Sequence, residues 1–311
     1  MNRSVRWGSY AFRSVKDALS GAIKMVATTT IKRRAQVSKQ EFQDEYLVKN
    51  RPVIVTDAIS RWGSEKVWTE EYLTEKFGDL LVQVYDDLFH LEDVTTLQSY
   101  FDNYWRIPQI PGKPVPYVRW YTKLRDADFV WADDVFSELA DYWTLPYFLP
   151  DSGYLLPAHL SPTVTPVADP FPAKGIFISA AGARTKLHKD PWGSDAILCQ
   201  LHGEKRVIMY PPSCEKALTR GEEVVDIERP DLDVFEDFDD VTPQYDDVLK
   251  PGEIILVPAG WYHHFSTLRN SISLTWNFVH TRTWRRFFKY LIEDKPVQDL
   301  EVLRYFAKMP H

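Results

Sequence analysis

The chain has 311 residues, of which 44% are hydrophobic and 26% are charged, and its formal net charge is −7. This composition is typical of a globular protein with one large domain or two smaller ones. The sequence contains no run of about 18 apolar residues, so it predicts no transmembrane helix.

The cysteine content bears on the compartment in which the protein works. Cys199 and Cys214 are too few for a disulfide framework and do not form a C-x-x-C motif. The N-terminus lacks an apolar core followed by a small-residue cleavage site, so no secretory signal is predicted. These features favour an intracellular, cytoplasmic protein.

Charge is distributed unevenly along the chain. Residues 1–34 carry eight Lys or Arg and one acid, and form an amphipathic segment with apolar residues at helical spacing: Phe12, Val15, Leu19, Ile23 and Val26. Three interpretations of this basic segment stay open, namely a helix docked on its own domain, a membrane-surface or partner-binding helix, and an organellar presequence. The rest of the chain is strongly acidic, which argues against a nucleic-acid partner.

Residues 35–174 predict an α/β flank whose loops wrap around the main domain. Ser38 and Glu41 have the spacing of a helix capping box. A second helix is expected over residues 69–77, where Gly78 ends it, and the strand-like stretch LLVQVY follows. Proline-rich segments with many large aromatic residues come next, and they favour loops that wrap the fold rather than a flexible linker.

Residues 175–280 predict the β-rich core of the protein. The short apolar stretches GIFIS, DAILCQL, KRVIMYPP, EIILVP and SISLTWNFV, separated by turn residues, indicate an antiparallel sandwich or jelly roll. The acidic stretch 222–241 is interpreted as a solvated excursion, with a cation-binding or basic-substrate role as the alternative. Residues 281–311 predict one or two helices, broken at Pro296, that pack on the barrel or on a second subunit of a homodimer.

Two short motifs in this core carry ligand-capable side chains. His188 and Asp190, in TKLHKD, point to the same face if the segment is a strand. An H-x-D pair alone is weak, because two polar residues on a solvent-facing strand give the same pattern. A second histidine, His263, follows the turn in VPAGWYHH. Two histidines and one carboxylate on one face are the facial triad of non-haem Fe(II) oxygenases.

Two further positions suggest a polar pocket inside an apolar fold. Lys205 shares a strand face with Val207 and Met209, where a lysine is costly unless it meets an anion. The alternative is a surface lysine whose stem lies along the strand. In SISLTWNFV, alternate residues up to Asn277 form a polar face, which fits a pocket lining or a solvent-exposed surface equally well.

Four motifs in order, TKLHKD, GEKRVIMYPP, PGEIILVPAGWYHHF and SISLTWNF, resemble those of the JmjC family of Fe(II)/2-oxoglutarate oxygenases. The resemblance runs from NRPVIV near residue 50 to TWNFV near residue 279. Within the family, it is strongest to the hydroxylase branch that includes the asparaginyl hydroxylase factor-inhibiting HIF. It implies a mainly β fold, a double-stranded β-helix of the jelly-roll or cupin type, with flanking α-helices.

The resemblance also implies roles for single residues. His188, Asp190 and His263 match the iron ligands, whereas His264 is expected to be a structural neighbour. The residues that match the 2-oxoglutarate contacts of the family are Tyr117, Thr185, Lys205 and Asn277. Leu198 stands where some relatives carry an asparagine near the co-substrate.

Residues just after the H-x-D motif are candidates for the substrate side of the site. Trp192 and Asp195 are the positions at which we expect substrate contacts. Lys189 points to the opposite strand face and is expected to be structural. The carboxylate at Asp190 argues against a halogenase, which needs a small residue there.

The activity implied by the resemblance is that of a dioxygenase that uses Fe(II), 2-oxoglutarate and O2. It hydroxylates a C–H bond and releases succinate and CO2, and a protein or peptide side chain is the favoured substrate. N-methyl-lysine demethylation, or hydroxylation of a tRNA base or a small metabolite, would use the same chemistry. From other classes, a non-catalytic metal-binding cupin module would need a broken triad, and a metal-dependent isomerase would not need Lys205 and Thr185.

Overall fold

The structure is a computed structural model that describes residues 27–63, 66–110, 113–122, 130, 132–156 and 174–293. Several sequence predictions lie outside these residues. They are the apolar stripe of the basic N-terminal segment, the helix break at Pro296 and the C-terminal residues that follow Glu293.

The described part of the chain forms fourteen strands and six α-helices. The strands are β1 (Arg33–Arg34), β2 (Val53–Val55), β3 (Leu81–Tyr85), β4 (Leu91–Thr96), β5 (Tyr117–Tyr121), β6 (Tyr154–Leu156), β7 (Gly175–Ser179), β8 (Arg184–His188), β9 (Asp195–Tyr210), β10 (Thr219–Arg220), β11 (Glu223–Val224), β12 (Tyr245–Leu249), β13 (Ile254–Val257) and β14 (Tyr262–His280). The helices are α1 (Lys39–Glu41), α2 (Glu70–Phe77), α3 (Leu97–Tyr100), α4 (Asp133–Glu138), α5 (Glu215–Leu218) and α6 (Trp284–Glu293). Helices α1 and α3 continue as π-helical turns over Phe42–Leu47 and Phe101–Trp105.

Two long antiparallel strands, β9 and β14, hold the fold together. Their pairing runs from Tyr262 opposite Tyr210 to Phe278 opposite Asp195. At one end of this pair, β12 and β8 extend the pairing to a four-stranded sheet. At the other end, the order is β1-β2-β13-β9-β14-β7-β5-β3-β4. Because β9 and β14 belong to both sheets, the arrangement is a double-stranded β-helix, and the predicted jelly roll with flanking helices is confirmed.

The bend between the two halves of β9 lies at Gly203. Its φ is +70°, a left-handed conformation that favours glycine. The facing stretch of β14 is irregular, with register shifts between Thr267 and Ser273. A Cβ atom at position 203 would lie 1.9 Å from the carbonyl oxygen of Asn270, so the close approach of the two strands requires glycine.

The inner faces of the two sheets pack on each other. Their shared cluster contains Ile54, Ala196, Leu198, Val207, Met209, Ile255, Val257 and Phe265, all of them buried. The outer face of the larger sheet packs on the helices instead. That larger core includes Phe42, Leu73, Phe101, Ile176, Ile178, Ile197, Leu256, Leu274 and Trp276. The alternation of residues along β9 and β14 therefore separates a pocket face from a helix-covered face.

The predicted helix starts in the N-terminal flank are present. The Ser38 side chain accepts a hydrogen bond from the backbone N–H of Glu41 at 3.0 Å. The Glu41 carboxylate does not complete the capping box, because it pairs with Arg34 at 2.8 Å. Thr69 caps α2 by accepting from the N–H of Tyr72, and Gly78 follows the end of the helix.

The acidic stretch is more than a solvated excursion. Val225 and Phe235 are buried against the outer face of β8 and β14. Asp226 pairs with Arg184 at 3.4 Å and with Lys186 at 3.4 Å, so carboxylates of this stretch are attached to β8. Its apolar residues, spaced among the acids, explain why it packs on the sheet.

The larger sheet does not begin at residue 175, because β1 to β5 belong to it as well. The division of the chain into 1–34, 35–174, 175–280 and 281–311 stays a prediction. Among the described helices, none has both the length and the apolar character that crossing a bilayer requires.

Substitution Gly203→Ala should destabilise the protein by about 3 kcal/mol or more, since it combines left-handed strain with a clash against Asn270. Gly221→Ala is the matched control, because Gly221 has φ +61° and no other atom lies within 4 Å of the position that its Cβ would take. The control should cost about 1 kcal/mol. Denaturant unfolding of both variants measures the difference, and equal losses would contradict the role given to the close approach.

Candidate metal and co-substrate site

The three residues of the predicted triad meet at one point of the jelly roll. His188 ends β8, Asp190 follows it, and His263 lies on the neighbouring strand β14, directly opposite His188. One ligand atom from each residue lies within 4.8 Å of the others. The two imidazole rings have centroids 4.1 Å apart, and His263 Nε2 is 3.7 Å from Asp190 Oδ2.

Backbone carbonyls orient both imidazoles. His188 Nδ1 lies 2.8 Å from the carbonyl oxygen of Lys186, and His263 Nδ1 lies 3.1 Å from that of Trp261. A carbonyl accepts only, so each Nδ1 carries a proton, and Nε2 is the atom of each ring that a metal could use. Burial, reinforced by the neighbouring His263, holds the pKa of His188 well below its usual value. His188 therefore offers a neutral ring nitrogen.

The carboxylate of Asp190 is suited to a cation. Asp190 Oδ2 is buried and accepts no hydrogen bond from the described residues. A buried carboxylate oxygen without a donor is costly, and a metal ion at this point would remove the cost. Two imidazole nitrogens and one carboxylate oxygen fit Fe(II) and leave further coordination positions for other ligands.

The loop after Asp190 is held by hydrogen bonds within the site. Trp192 has a left-handed backbone, with φ +63°, in the turn over Pro191–Gly193. Ser194 Oγ donates to the carbonyl of Pro191 at 2.7 Å, and Asn277 Nδ2 donates to Ser194 Oγ at 3.1 Å. Asn277 thus supports the segment that presents Asp190, and its predicted contact with the co-substrate stays a prediction.

A β-bulge brings Thr185 to the same side as His188. On β14, His263 and Phe265 are two residues apart, whereas their partners on β8, His188 and Thr185, are three apart. The additional residue on β8 reverses the alternation of side chains. Strict alternation would have placed Thr185 and His188 on opposite faces, so the bulge is what makes the predicted arrangement geometrically consistent.

Lys205 is buried on the pocket face of β9, opposite Thr267. Its Nζ lies 3.3 Å from Ser273 Oγ and forms no ion pair with a described carboxylate. Burial lowers the pKa of Lys205 to about 8. Ser271 and Ser273 are also fully buried, so this polar face of β14 lines the interior and is not exposed to solvent.

Tyr117 lies on β5 and faces the same interior. Its side chain is 2% exposed, and its hydroxyl has no partner among the described residues that satisfies both the distance and the angle of a hydrogen bond. Burial raises its pKa to about 12, and the neighbouring Thr185 hydroxyl lowers it in part. The Tyr117 and Phe177 rings are 6.2 Å apart, and Lys205 Nζ is 6.0 Å from the Phe177 ring. Phe177 is therefore a neighbour of both Tyr117 and Lys205.

The remaining sequence-predicted neighbours have structural surroundings. His264 points away from the triad, with Nε2 2.9 Å from Ser266 Oγ and 3.3 Å from a Glu228 oxygen. Lys189 is exposed and pairs with Glu215. Leu198 packs in the cluster between the two sheets.

Asp195 is not a substrate contact, in contrast to the expectation from its position. Its side chain is 1% exposed, and Oδ1 accepts from the backbone N–H of Ala259 at 2.9 Å. Oδ2 lies 3.4 Å from the Thr283 hydroxyl. Burial raises the pKa of Asp195 to about 6. Asp195 thus ties the turn before His263 to the start of α6, which positions that ligand.

Two residues near the triad escaped the sequence analysis. Phe89, in the β3–β4 hairpin, has its ring 4.9 Å from the ring of His188 and a φ of +70°. Arg119, on β5, has its guanidinium 4.3 Å from the Phe89 ring. The signal for Arg119 was its position two residues after Tyr117, which places both on one strand face. No sequence signal indicated Phe89.

Substitution Asp190→Ala should abolish metal binding while making the metal-free protein more stable by about 1–3 kcal/mol, because a buried carboxylate oxygen without a hydrogen-bond donor is removed. The measurement is thermal unfolding with and without Mn(II) or anaerobic Fe(II). At a metal concentration of about 100 times Kd, the wild type should gain about 3 kcal/mol and the variant nothing. His264→Gln is the adjacent control and should respond like the wild type; a metal response of Asp190→Ala would contradict the site.

Comparison with known proteins identifies a family and several relatives that the chain resembles. The cupin-like domain family matches residues 39–283. The Mus musculus protein named 2-oxoglutarate and iron-dependent oxygenase JMJD4 is 23% identical over 339 residues, covering 100% of this chain and 75% of that protein. Lysine-specific demethylase JMJ21 of Arabidopsis thaliana is 26% identical, over 80% of this chain and 25% of its own length.

A third relative, the tRNA wybutosine-synthesizing protein 5 of Danio rerio, is 24% identical over 83% of this chain and 78% of its own length. The chain thus spans from one quarter to about three quarters of the length of these relatives. The family match covers most of the chain and contains all of β2 to β14. This chain therefore belongs to the cupin-like domain family.

Proposed function

We propose that this chain is an Fe(II)- and 2-oxoglutarate-dependent dioxygenase that hydroxylates a C–H bond in a protein or peptide side chain. The observation that carries the proposal is the convergence of His188, Asp190 and His263 in the jelly roll whose interior also holds the buried Lys205. Relatives named 2-oxoglutarate and iron-dependent oxygenase support it.

The residues beside the triad fit a dicarboxylate. Lys205 supplies a cation, and Tyr117 supplies a buried hydroxyl that has no acceptor among the described residues. A carboxylate held between them would satisfy both groups, since charge-assisted hydrogen bonds are stronger than neutral ones. Thr185, placed on the same side as His188 by the bulge, offers a further hydroxyl. We assign these three residues to 2-oxoglutarate.

The residues of the chain would hold and orient the metal and the co-substrate and keep the site apolar. When bound, Fe(II), 2-oxoglutarate and O2 supply the oxidation, in which succinate and CO2 are released and one oxygen atom enters the substrate C–H bond. His188 and His263 act as neutral ligands fixed through their Nδ1–H groups. Buried Val207, Met209 and Phe265 keep the inner side of the site apolar.

Charge favours hydroxylation over removal of methyl groups. A methylated lysine or arginine is a cation, and the site already contains Arg119, a half-buried cation that no described carboxylate pairs with. Like charges in a buried site repel strongly. The strongly acidic main body also disfavours an RNA substrate. We further propose an intracellular, cytoplasmic setting, because both cysteines are free thiols.

The direct test is an anaerobic titration of the full chain with Fe(II) and then 2-oxoglutarate, followed by admission of O2. The wild type should bind both and release succinate slowly without a substrate, whereas Asp190→Ala should release none. Candidate peptides are then screened by mass spectrometry for the gain of one oxygen atom. Formaldehyde release would identify a demethylase, and identical succinate release by wild type and Asp190→Ala would refute the oxygenase.

Lys205→Met should weaken the binding of 2-oxoglutarate and, without ligand, increase the stability of the protein. A lysine pKa that falls from 10.5 to about 8 on folding corresponds to a cost of about 3 kcal/mol. That cost is fully present below pH 8 and disappears as the pH rises from 8 to 10.5. Without ligand, the variant should therefore be more stable than the wild type by about 3 kcal/mol at pH 7 and nearly equal to it above about pH 10.

Denaturant unfolding at several pH values measures this difference, and calorimetry measures 2-oxoglutarate binding. The variant should lose 2-oxoglutarate affinity at every pH, while the affinity of the wild type should fall above about pH 8 as Lys205 loses its proton. A variant that is less stable than the wild type at neutral pH would show that Lys205 serves the fold.

A further inference from the structure

Arg119 is a second cation on the strands that line the interior of the jelly roll, and its side chain is half-buried. It lies on β5 between Tyr117 and Tyr121, with all three side chains on one strand face. Arg119 Nε is buried and has no hydrogen-bond partner among the described residues. The only hydrogen bond that these residues provide to the guanidinium is from Nη2 to the Tyr121 hydroxyl, at 2.6 Å.

Aromatic rings surround this guanidinium. Its central carbon lies 4.3 Å from the ring centroid of Phe89, 5.3 Å from those of Tyr121 and Phe177, and 5.5 Å from that of Tyr85. Cation–π contacts of this kind stabilise the charge in part. They satisfy none of the N–H donors, so most of the five donors of Arg119 are left for another partner.

No carboxylate of the described residues pairs with Arg119. The acids of the neighbouring hairpin are engaged elsewhere: Asp86 accepts from the backbone and ring of His90, and Asp87 pairs with Arg184. A guanidinium whose Nε–H is buried and meets no anion is costly, because buried charged groups are normally paired. The structure thus keeps a cation in the pocket that the described part of the chain does not neutralise.

Arg119 lies beside one of the co-substrate residues and close to the metal position. It shares a strand face with Tyr117, whose pKa is raised by burial and lowered in part by the charge of Arg119. The Phe177 ring centroid is 5.3 Å from the Arg119 guanidinium carbon and 6.0 Å from Lys205 Nζ. Arg119 also contacts Phe89, whose ring packs edge-on to His188. One aromatic ring therefore connects Arg119 to the triad.

Charge balance in the loaded site leads to the same residue. With the proposed function, Fe(II) and the dianion of 2-oxoglutarate cancel each other, and Asp190 and Lys205 cancel each other. Arg119 then remains without a carboxylate partner among the described residues. We propose that Arg119 binds a carboxylate of the substrate close to the C–H bond that is oxidised.

This inference rests on the proposed function and names the class of substrate as an acidic one. The planar guanidinium offers its N–H edge to both oxygens of a carboxylate, a geometry that a lysine cannot reproduce. The carboxylate belongs either to an aspartate or glutamate side chain of a peptide or to a free carboxylic acid. Both sources share the chemistry that Arg119 recognises.

The test uses the full chain, saturated anaerobically with Fe(II) and 2-oxoglutarate, and measures probe binding by ligand-observed NMR. The peptide probes are glutamate and glutamine, each capped as N-acetyl N-methylamides, and the small probes are propionate and propionamide. The acid of each pair should bind about tenfold or more tightly than its amide. Preference for the capped glutamate over propionate indicates a peptide substrate, and the reverse indicates a small acid.

Variants assign the preference to Arg119. Arg119→Gln should abolish the preference for the acid, and Arg119→Lys should retain part of it. The affinity of Arg119→Gln for 2-oxoglutarate should stay within about threefold of the wild type, in contrast to Lys205→Met. The wild-type comparison of acid with amide remains decisive even if the glutamine variant does not fold.

Two results would overturn the inference: equal binding of acid and amide by the wild type, or a loss of 2-oxoglutarate affinity in Arg119→Gln as large as in Lys205→Met. Failure of the wild type to bind Fe(II) or 2-oxoglutarate would instead refute the proposed function. In that case, the same acid and amide probes on the unloaded protein decide whether Arg119 is an anion site.

Discussion

The register between β9 and β14 is the constraint on which the rest of the structure depends. It places His263 opposite Met209 and Lys205 opposite Thr267, while β8 pairs with the other edge of β14 and brings His188 opposite His263. A slip of one residue would turn every one of these side chains to the other face. Gly203 matters for the same reason, because the bend that it allows lets one pair of strands serve both sheets.

The charged groups of the pocket oppose folding in the absence of ligands. Asp190 keeps a buried oxygen without a donor among the described residues, Lys205 is desolvated, and Arg119 has aromatic neighbours in place of an anion. Each of these groups costs free energy that the apolar cluster between the sheets must offset. A metal ion, the co-substrate and the substrate would each pair with one of these three charged groups. Each binding step would therefore remove the cost of one group, at a separate point of the pocket.

The sequence was sufficient for the main apolar strands, β3, β7, β9, β13 and β14, and for the convergence of the triad, because these depend on short-range spacing and strong motifs. It was not sufficient where neighbours come from distant segments. The bulge that aligns Thr185 with His188 is a property of the pairing between β8 and β14. Asp195 was expected to contact the substrate because its actual partners, Ala259 and Thr283, are 64 and 88 residues away along the chain. The acidic stretch was interpreted by its charges, whereas its buried apolar residues decide where it packs.

The triad and Lys205 lie on different strands from Arg119, the proposed substrate-binding residue. The triad and Lys205 lie on β8, β9, β14 and the loop after β8, where the register fixes them. Phe89 comes from the β3–β4 hairpin at the far edge of the larger sheet, and Arg119 comes from β5, which pairs with β3 and β7. Neither the hairpin nor β5 carries a residue of the triad. Substrate preference can therefore change at Arg119 while the metal site keeps its geometry. Phe89, whose backbone is left-handed, contacts both the guanidinium of Arg119 and the ring of His188.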